Sequence, residues 1–86
     1  MPEISRFLGV VIKMFYDDHN PPHFYAEYGD DLALIEIDTL LVFSGRLPPR
    51  VLGLVIEWAA LHRDELRADW DLARAHRDLQ RIPPLQ

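Results

Sequence analysis

The sequence has no cysteine, which excludes proteins that depend on disulfides or on thiolate metal sites. Without cysteine there is neither a disulfide framework nor a thiolate ligand for zinc, and small secreted domains usually need such staples. No apolar stretch approaches the roughly 20 residues that cross a bilayer. Residues 1–6 also lack the basic region, the apolar run and the cleavage pattern of a signal peptide. We therefore expect a cytoplasmic protein with no membrane partner.

Net positive charge is absent as well, since the formal net charge is −5 at pH 7. Residues 1–45 hold eight acidic and two basic side chains, whereas residues 46–86 hold six acidic side chains and seven arginines. An acidic surface repels a phosphate backbone, so we do not expect nucleic acid as a partner unless those arginines converge on one face. The helical region also has no clear helix-turn-helix glycine turn, which argues against DNA binding.

Motifs of covalent and phosphate chemistry are missing too. There is no glycine-rich phosphate loop, no nucleophile elbow, and no serine or cysteine arrangement that suggests covalent catalysis. The chain is instead rich in apolar side chains: 49% of its 86 residues are hydrophobic, with two Trp, three Tyr and four Phe. This content suffices for one hydrophobic core and is too small for two, so we expect a single domain over residues 1–86.

Alternating side chains in the first half predict strands. The β-branched and aromatic run from Ile4 to Tyr16 predicts one long central strand, with Gly9 as a bend or bulge. The Asp, Asn and Pro residues at 17–22 end it. Further strands are predicted at residues 23–28, 33–38 and 41–44. The links are too short for parallel crossovers, so the sequence predicts a three- to four-stranded antiparallel β-meander over about residues 4–45.

The second half predicts helix, and the fold class is therefore α+β. Pro48 and Pro49 suit a first helical turn, and apolar residues then recur every three or four positions through both tryptophans. A single helix over the predicted region, about residues 48–76, would be about 40 Å long, which favours a break near residues 62–64. The absence of Gly and Pro after Gly53 favours continuity. We expect one long kinked helix or two helices packed on the sheet, then an extended tail at residues 79–86.

The densest polar cluster surrounds the turn between the first two predicted strands. Alternation places His23, Tyr25 and Glu27 on one face of the second strand, and His19 lies in the turn above them. Imidazole and carboxylate groups bind divalent metal ions or act as acid and base near neutral pH. Two histidines at this spacing match no standard zinc arrangement. The alternative is a structural role, in which these side chains hydrogen-bond the local backbone beside the two prolines.

Six segments of the sequence together form a specific signature. They read PEISRF at residues 2–7, DHNPPHF at 18–24, AEYG at 26–29, GRLP at 45–48, EWA at 57–59 and LHRDEL at 61–66. With them the chain resembles, nearly end to end, a family of small bacterial proteins called domain of unknown function 4160 (DUF4160). The resemblance implies a fold more than an activity, since the family has no assigned reaction. It also implies a protein partner, because its members look like components of two-gene units of toxin–antitoxin type.

The sequence departs from that family's pattern at two places. Tyr25 stands where the family has a third histidine, which counts against a metal site of three imidazoles. Residues 39–43 stand where the family has a polar turn with glycine, and they are unusually apolar. If this segment is exposed, it marks a dimer or partner surface. The alternative is a fourth strand packed beneath the helix.

Two functions from different classes follow as hypotheses. The first is a small protein-binding module, one component of a toxin–antitoxin-like or regulatory pair, whose binding residues would be Asp18, Asn20, Tyr25, Leu40, Leu41, Phe43 and Arg46. The second is a small hydrolase or ribonuclease, in which His19 and His23 act as acid and base or as metal ligands and Glu27 orients them. No cofactor is expected for the first, and only a divalent metal ion for the second.

Overall fold

Five antiparallel strands and two helices make up the fold. The computed structural model describes residues 2–85. The strands lie in the sheet in chain order and are β1 (Glu3–Phe7), β2 (Val10–Lys13), β3 (His23–Tyr28), β4 (Asp31–Glu36) and β5 (Val42–Gly45). The helices that follow are α1 (Pro49–Leu61) and α2 (Arg63–Arg74). The α+β class and the antiparallel meander are confirmed, while the predicted count of three to four strands is too low.

The first predicted strand is a hairpin and not one central strand. Leu8 and Gly9 form a two-residue turn with φ angles of 50° and 83°, and Phe7 pairs with Val10 across it. Two successive residues with positive φ are typical of the tight turns that reverse an antiparallel pair. Leu rarely adopts a positive φ, and the apolar run of the sequence continues through Leu8. The sequence pattern therefore gave no sign of the turn. β1 consequently lies at an edge of the sheet.

One face of the sheet, called the inner face below, carries the hydrophobic core. Ile12, Ala26 and Ala33 are paired neighbours on it, and all three are fully buried. Trp58 of α1 lies against this face, with its ring centroid 5.4 Å from that of Phe7 and 6.0 Å from that of Phe24. Burying one large apolar side chain contributes about 1.5–3 kcal/mol. Aromatic packing therefore holds α1 on the inner face.

The helical region divides into two helices at His62, within the range where its length favoured a break. α1 ends one residue earlier, and His62 has the non-helical angles φ −122° and ψ 26°. Arg63 Nε donates to the carbonyl of Ile37 at 3.2 Å, and Arg67 forms an ion pair with Asp38. These contacts hold the start of α2 against the loop between β4 and β5. Within residues 2–85, no helix is both long and apolar enough to cross a bilayer.

Residues 79–85 form neither helix nor strand, but they pack against the rest of the molecule. The Ile82 amide donates to the carbonyl of Ile4 at 2.8 Å, and the Trp58 indole donates to the carbonyl of Pro83 at 2.8 Å. The side chain of Ile82 is buried. This tail therefore lies along β1. The predicted domain and tail also include Met1 and Gln86, which lie outside the described residues.

Candidate functional site

The loop between β2 and β3 positions the first group of predicted site residues. It leaves the sheet after β2, and Asp17 within it has a φ of 55°. Asp18 Oδ1 accepts a hydrogen bond from the His19 amide at 2.8 Å, a local contact that fixes the carboxylate. Asn20 is exposed, and its Oδ1 lies 3.5 Å from a guanidinium nitrogen of Arg74 in α2. The loop thus presents one fixed carboxylate to the first residues of β3.

Asp18, His23 and Tyr25 form a compact network at this end of β3. The Tyr25 hydroxyl donates to Asp18 Oδ2 at 2.8 Å, and His23 Nε2 lies 3.1 Å from the same oxygen. His23 Nδ1 lies 2.7 Å from the carbonyl oxygen of Pro21. A carbonyl oxygen only accepts, so Nδ1 carries a proton and donates it. Nε2 is close to Asp18 but lacks the direction of a hydrogen bond, so Tyr25 is the directed donor to Oδ2.

Burial and hydrogen bonding set the protonation of this network. Burial alone would raise the pKa of the Asp18 carboxyl, but hydrogen bonds from Tyr25 and the His19 amide, together with the nearby His23 ring, lower that pKa below its usual value. Burial and the same hydrogen bond raise the pKa of Tyr25 to about 12. At neutral pH, Asp18 is therefore ionised and Tyr25 keeps its proton, as their acceptor and donor roles require.

Aromatic side chains from three elements enclose the His23 ring. Its centroid lies 5.4 Å from that of Tyr25, 5.4 Å from that of Trp70 in α2 and 5.1 Å from that of Phe43 in β5. His23 is only 4% exposed. An enclosed ring has little access to a substrate, whereas its contacts join the loop, the sheet and α2. This geometry fits the structural alternative for His23.

The other two residues of the predicted catalytic set lie apart from this network. His19 is exposed, and Glu27 forms an ion pair with Lys13 at 3.0 Å. Within residues 2–85, no hydrogen bond or ion pair joins His19, His23 and Glu27 to one another. In the same part of the chain, no group of three His, Asp or Glu side chains could hold a metal ion, and no pocket is found. The catalytic and metal roles of these residues stay predictions.

The second face of the sheet, called the outer face below, is more apolar than a solvated sheet face usually is. Register places on it the side chains of Val11, Tyr25, Leu32 and Leu34. The ring contacts of Phe15 with Tyr25 and of Phe43 with His23 place these two side chains there as well. Phe43 is 48% exposed and Leu32 is 40% exposed. Phe15 packs edge-on against Tyr25 with ring centroids 4.6 Å apart. Antiparallel sheets with one covered face normally present polar side chains on the other, so this surface is unusual.

The predicted apolar segment at residues 39–43 leads into β5, the last strand of the sheet. Leu40 has a φ of 60° and packs partly buried against the core, whereas Leu41 is 66% exposed. Arg46 follows β5, is exposed, and forms no ion pair within the described residues. Phe43 therefore contacts His23, which in turn contacts Tyr25. Leu41 and Arg46 lie at opposite ends of β5.

A family model described as "Domain of unknown function (DUF4160)" matches residues 9–71, which is most of the chain. The chain belongs to this family. The DUF4160 match runs from Gly9 into α2 and includes the Asp18 network, the outer face and β5. Strand β1 and the tail lie outside it. No curated protein and no solved structure matches the chain.

Three contacts within the DUF4160 match were not foreseen from the sequence. Trp70 touches His23, Phe15 packs on Tyr25, and Lys13 neutralises a carboxylate of β3. The alternation along β2 places Lys13 and Phe15 on one face, so that pattern could have found two of the three. Nothing local signals the Trp70 contact, because it depends on where α2 crosses the end of the sheet.

Proposed function

We propose that this chain is a cytoplasmic protein-binding module and that its partner docks on the outer face of the sheet. The observation that carries this proposal is the half-exposed apolar surface formed there by Phe15, Leu32, Leu34 and Phe43. Water contact with contiguous apolar surface is unfavourable, and such a surface on a small domain commonly marks a protein contact. A docked partner would cover the apolar side chains of the outer face, as α1 covers those of the inner face.

The Asp18 network supports this surface by keeping its aromatic side chains in place. Tyr25 lies on the outer face with its hydroxyl held by Asp18, and the His23 ring lies between Tyr25 and Phe43. Side chains that are already ordered lose little conformational entropy when they bind. Ordered aromatic side chains are also enriched at the centres of protein interfaces.

Charge around the outer face indicates a partner with a basic rim. Residues 1–45, which include all five strands, hold eight acidic and two basic side chains, and Arg67 and Arg81 of the second half offset two of the acids, Asp38 and Glu3. Both basic side chains are in ion pairs, Lys13 with Glu27 and Arg6 with Glu3. Glu36, in contrast, has no ion-pair partner within residues 2–85. Opposite charge at a rim speeds association and suppresses wrong partners. The partner we propose is a small protein with an apolar centre and a basic rim. It would be the second component of a toxin–antitoxin-like or regulatory pair, which is the kind of partner that the family resemblance implies.

Co-expression with the protein encoded beside this chain, followed by native mass spectrometry, tests the proposal. Wild type should carry one partner in stoichiometric amount. Leu32→Lys and Phe43→Lys place charge on the outer face and should weaken binding at least about tenfold, which is roughly 1.4 kcal/mol. Leu61→Lys changes a leucine that is 69% exposed on α1 and serves as the matched control, which should bind as wild type does. A wild type without partner, or equal binding by all variants, would overturn the proposal.

The hydrolase or ribonuclease alternative has no comparable contact in its favour. His19 is exposed, His23 is enclosed by aromatic rings, and Glu27 is paired with Lys13. A nuclease assay of wild type and His19→Ala separates the two functions. If activity is present, falls with His19→Ala and persists in Leu32→Lys, catalysis would replace binding as the better supported function.

A further inference from the structure

The two edges of the sheet are protected very differently, and β1 is the closed edge. In the tail, the Ile82 amide donates a hydrogen bond to the carbonyl of Ile4 at 2.8 Å, and the Arg81 guanidinium donates one to the carbonyl of Glu3 at 3.1 Å. The ion pair between Glu3 and Arg6 adds charge along the same strand. Cover by another segment and charged side chains are the usual devices that keep an edge strand from pairing with another chain.

β5 is the open edge. It pairs with β4 on one side, and no other strand of residues 2–85 pairs with its second side. Residues 39–45 include no charged residue and no proline, and both Leu41 and Phe43 are exposed. An unpaired and uncharged strand edge is a template for strand addition. The strand is four residues long and the β4–β5 register contains an irregularity, so any added ladder is short.

We propose that β5 pairs antiparallel with β5 of a second copy of this chain, which joins two five-stranded sheets into one continuous sheet. Identical strands related by a two-fold axis present the same surface to each other, so the contact closes after two copies. Residues 39–45 are uncharged, and two copies therefore meet there without like-charge contact, although each chain has a net charge of −5. No other edge of the sheet offers this combination within the described residues.

Charges at the two ends of β5 complement each other in this arrangement. Arg46 follows the strand and Glu36 precedes it in β4, and neither has an ion pair within residues 2–85. Antiparallel pairing puts the end of one strand beside the start of the other. Each Arg46 then lies at the acidic end of the second copy. Because the ladder is short, we expect a reversible dimer with a Kd in roughly the micromolar range.

Sedimentation velocity of the full chain over a range of concentrations tests this pairing. Wild type should shift from the mass of one chain to twice that mass as concentration rises. Leu41→Lys places charge beside β5 and should raise the dimer Kd at least about tenfold, while Leu61→Lys should dimerise as wild type does. Circular dichroism of both variants checks that they fold. A wild type that stays monomeric, or a Leu41→Lys variant that dimerises equally well, would overturn the proposal.

The absence of cysteine allows a second, independent test. Phe43→Cys and Ser44→Cys, made separately, each place a single thiol at one of the two central positions of β5. A two-fold axis at the middle of the strand passes by one of these positions, where the Cα atoms of the two copies face each other about 4.5–5.5 Å apart, within disulfide reach. With an added oxidant, one of these two variants should become a disulfide-linked dimer, and Ala60→Cys on the exposed side of α1 should not. Equal crosslinking of Ala60→Cys, or none in either β5 variant, would contradict the pairing whether or not a partner binds the outer face.

Discussion

Tyr25 donates its hydroxyl proton to Asp18 at 2.8 Å and thereby fastens the β2–β3 loop to the outer face of the sheet. Asp18 is held from its other oxygen by the His19 amide, so both ends of the carboxylate are engaged. The His23 ring fills the space between Tyr25, Trp70 and the loop. These contacts hold the aromatic side chains of the neighbouring apolar surface in place.

Removing the Tyr25 hydroxyl should weaken the fold. Tyr25→Phe leaves Asp18 Oδ2 without its directed donor while that oxygen remains partly shielded from water, so the free energy of unfolding should fall by about 1–3 kcal/mol. Tyr28→Phe removes a hydroxyl from a more exposed ring of the same strand and should change it by less than about 0.5 kcal/mol. Urea unfolding followed by tryptophan fluorescence measures both. Equal losses would show that the Asp18 contact contributes nothing particular.

Acid should weaken the fold partly through Asp18. The pKa of Asp18 is lower in the folded chain than its usual 3.8, so the ionised carboxylate stabilises the fold above that pH. This contribution disappears as the pH falls below 3.8 and through the lower pKa of the folded chain. Unfolding free energies measured between about pH 2 and pH 5 should therefore fall less steeply in Asp18→Asn than in wild type. Parallel curves would contradict the shift.

Glu3 provides a second acid-sensitive contact, at the junction of β1 and the tail. Hydrogen bonds from Arg6 and Arg81 lower the pKa of Glu3 from 4.5 to about 2. Arg81→Ala removes one of these donors, so the pKa of Glu3 should move back toward 4.5 when followed by NMR titration of its carboxyl carbon. Arg77→Ala changes an arginine with no ion pair in residues 2–85 and should leave that pKa unchanged. An unchanged pKa in Arg81→Ala would mean that the tail does not dock on β1 as described.

Relief of strain in the first hairpin should stabilise the chain. Leu8 has a φ of 50° and is 65% exposed, so it gains little burial in return for its conformation. Asn adopts positive φ more readily, and Asn-Gly is preferred in two-residue hairpin turns. Leu8→Asn should raise the free energy of unfolding by about 0.5–1 kcal/mol. Leu61→Asn replaces an equally exposed leucine at the end of α1 and should give no gain; a gain in both variants would argue against strain at Leu8.

Two glycines should respond to alanine with opposite signs. Gly45 has a φ of 74°, and a Cβ there would collide with the Leu32 carbonyl oxygen, so Gly45→Ala should lower the free energy of unfolding by about 2 kcal/mol or more. Gly53 lies inside α1 with open space around it, and Gly53→Ala should raise it by about 0.5–1 kcal/mol. Urea unfolding of the pair decides the point, and changes of the same sign would contradict the close approach of β5 to β4.

Most elements of the fold could be predicted because they depend on local pattern. The alternation in β3 puts His23, Tyr25 and Glu27 on one face, and the length of the helical run favoured the break that occurs at His62. The turn at Leu8 was missed because an apolar residue with positive φ carries no sequence signal. A hairpin and a long apolar strand therefore look alike until the backbone angles are known.

The candidate site was less predictable because its contacts join elements that are distant in the chain. His19 is adjacent to Asp18, yet its side chain is exposed while Asp18 reaches Tyr25 across the loop. Trp70 meets His23 only because contacts at the start of α2 direct that helix across the end of the sheet. Residue type located the cluster, but only the tertiary arrangement shows which of its side chains contact one another.

NMR chemical shifts of the labelled chain, recorded as the purified protein encoded beside it is added, test the central claim most directly. If the partner docks on the outer face, the largest amide shifts should appear at Phe15, Leu32, Leu34 and Phe43, and the exposed side of α1 should be unchanged. Shifts confined to α1 and α2, with the outer face unaffected, would contradict the proposed docking surface.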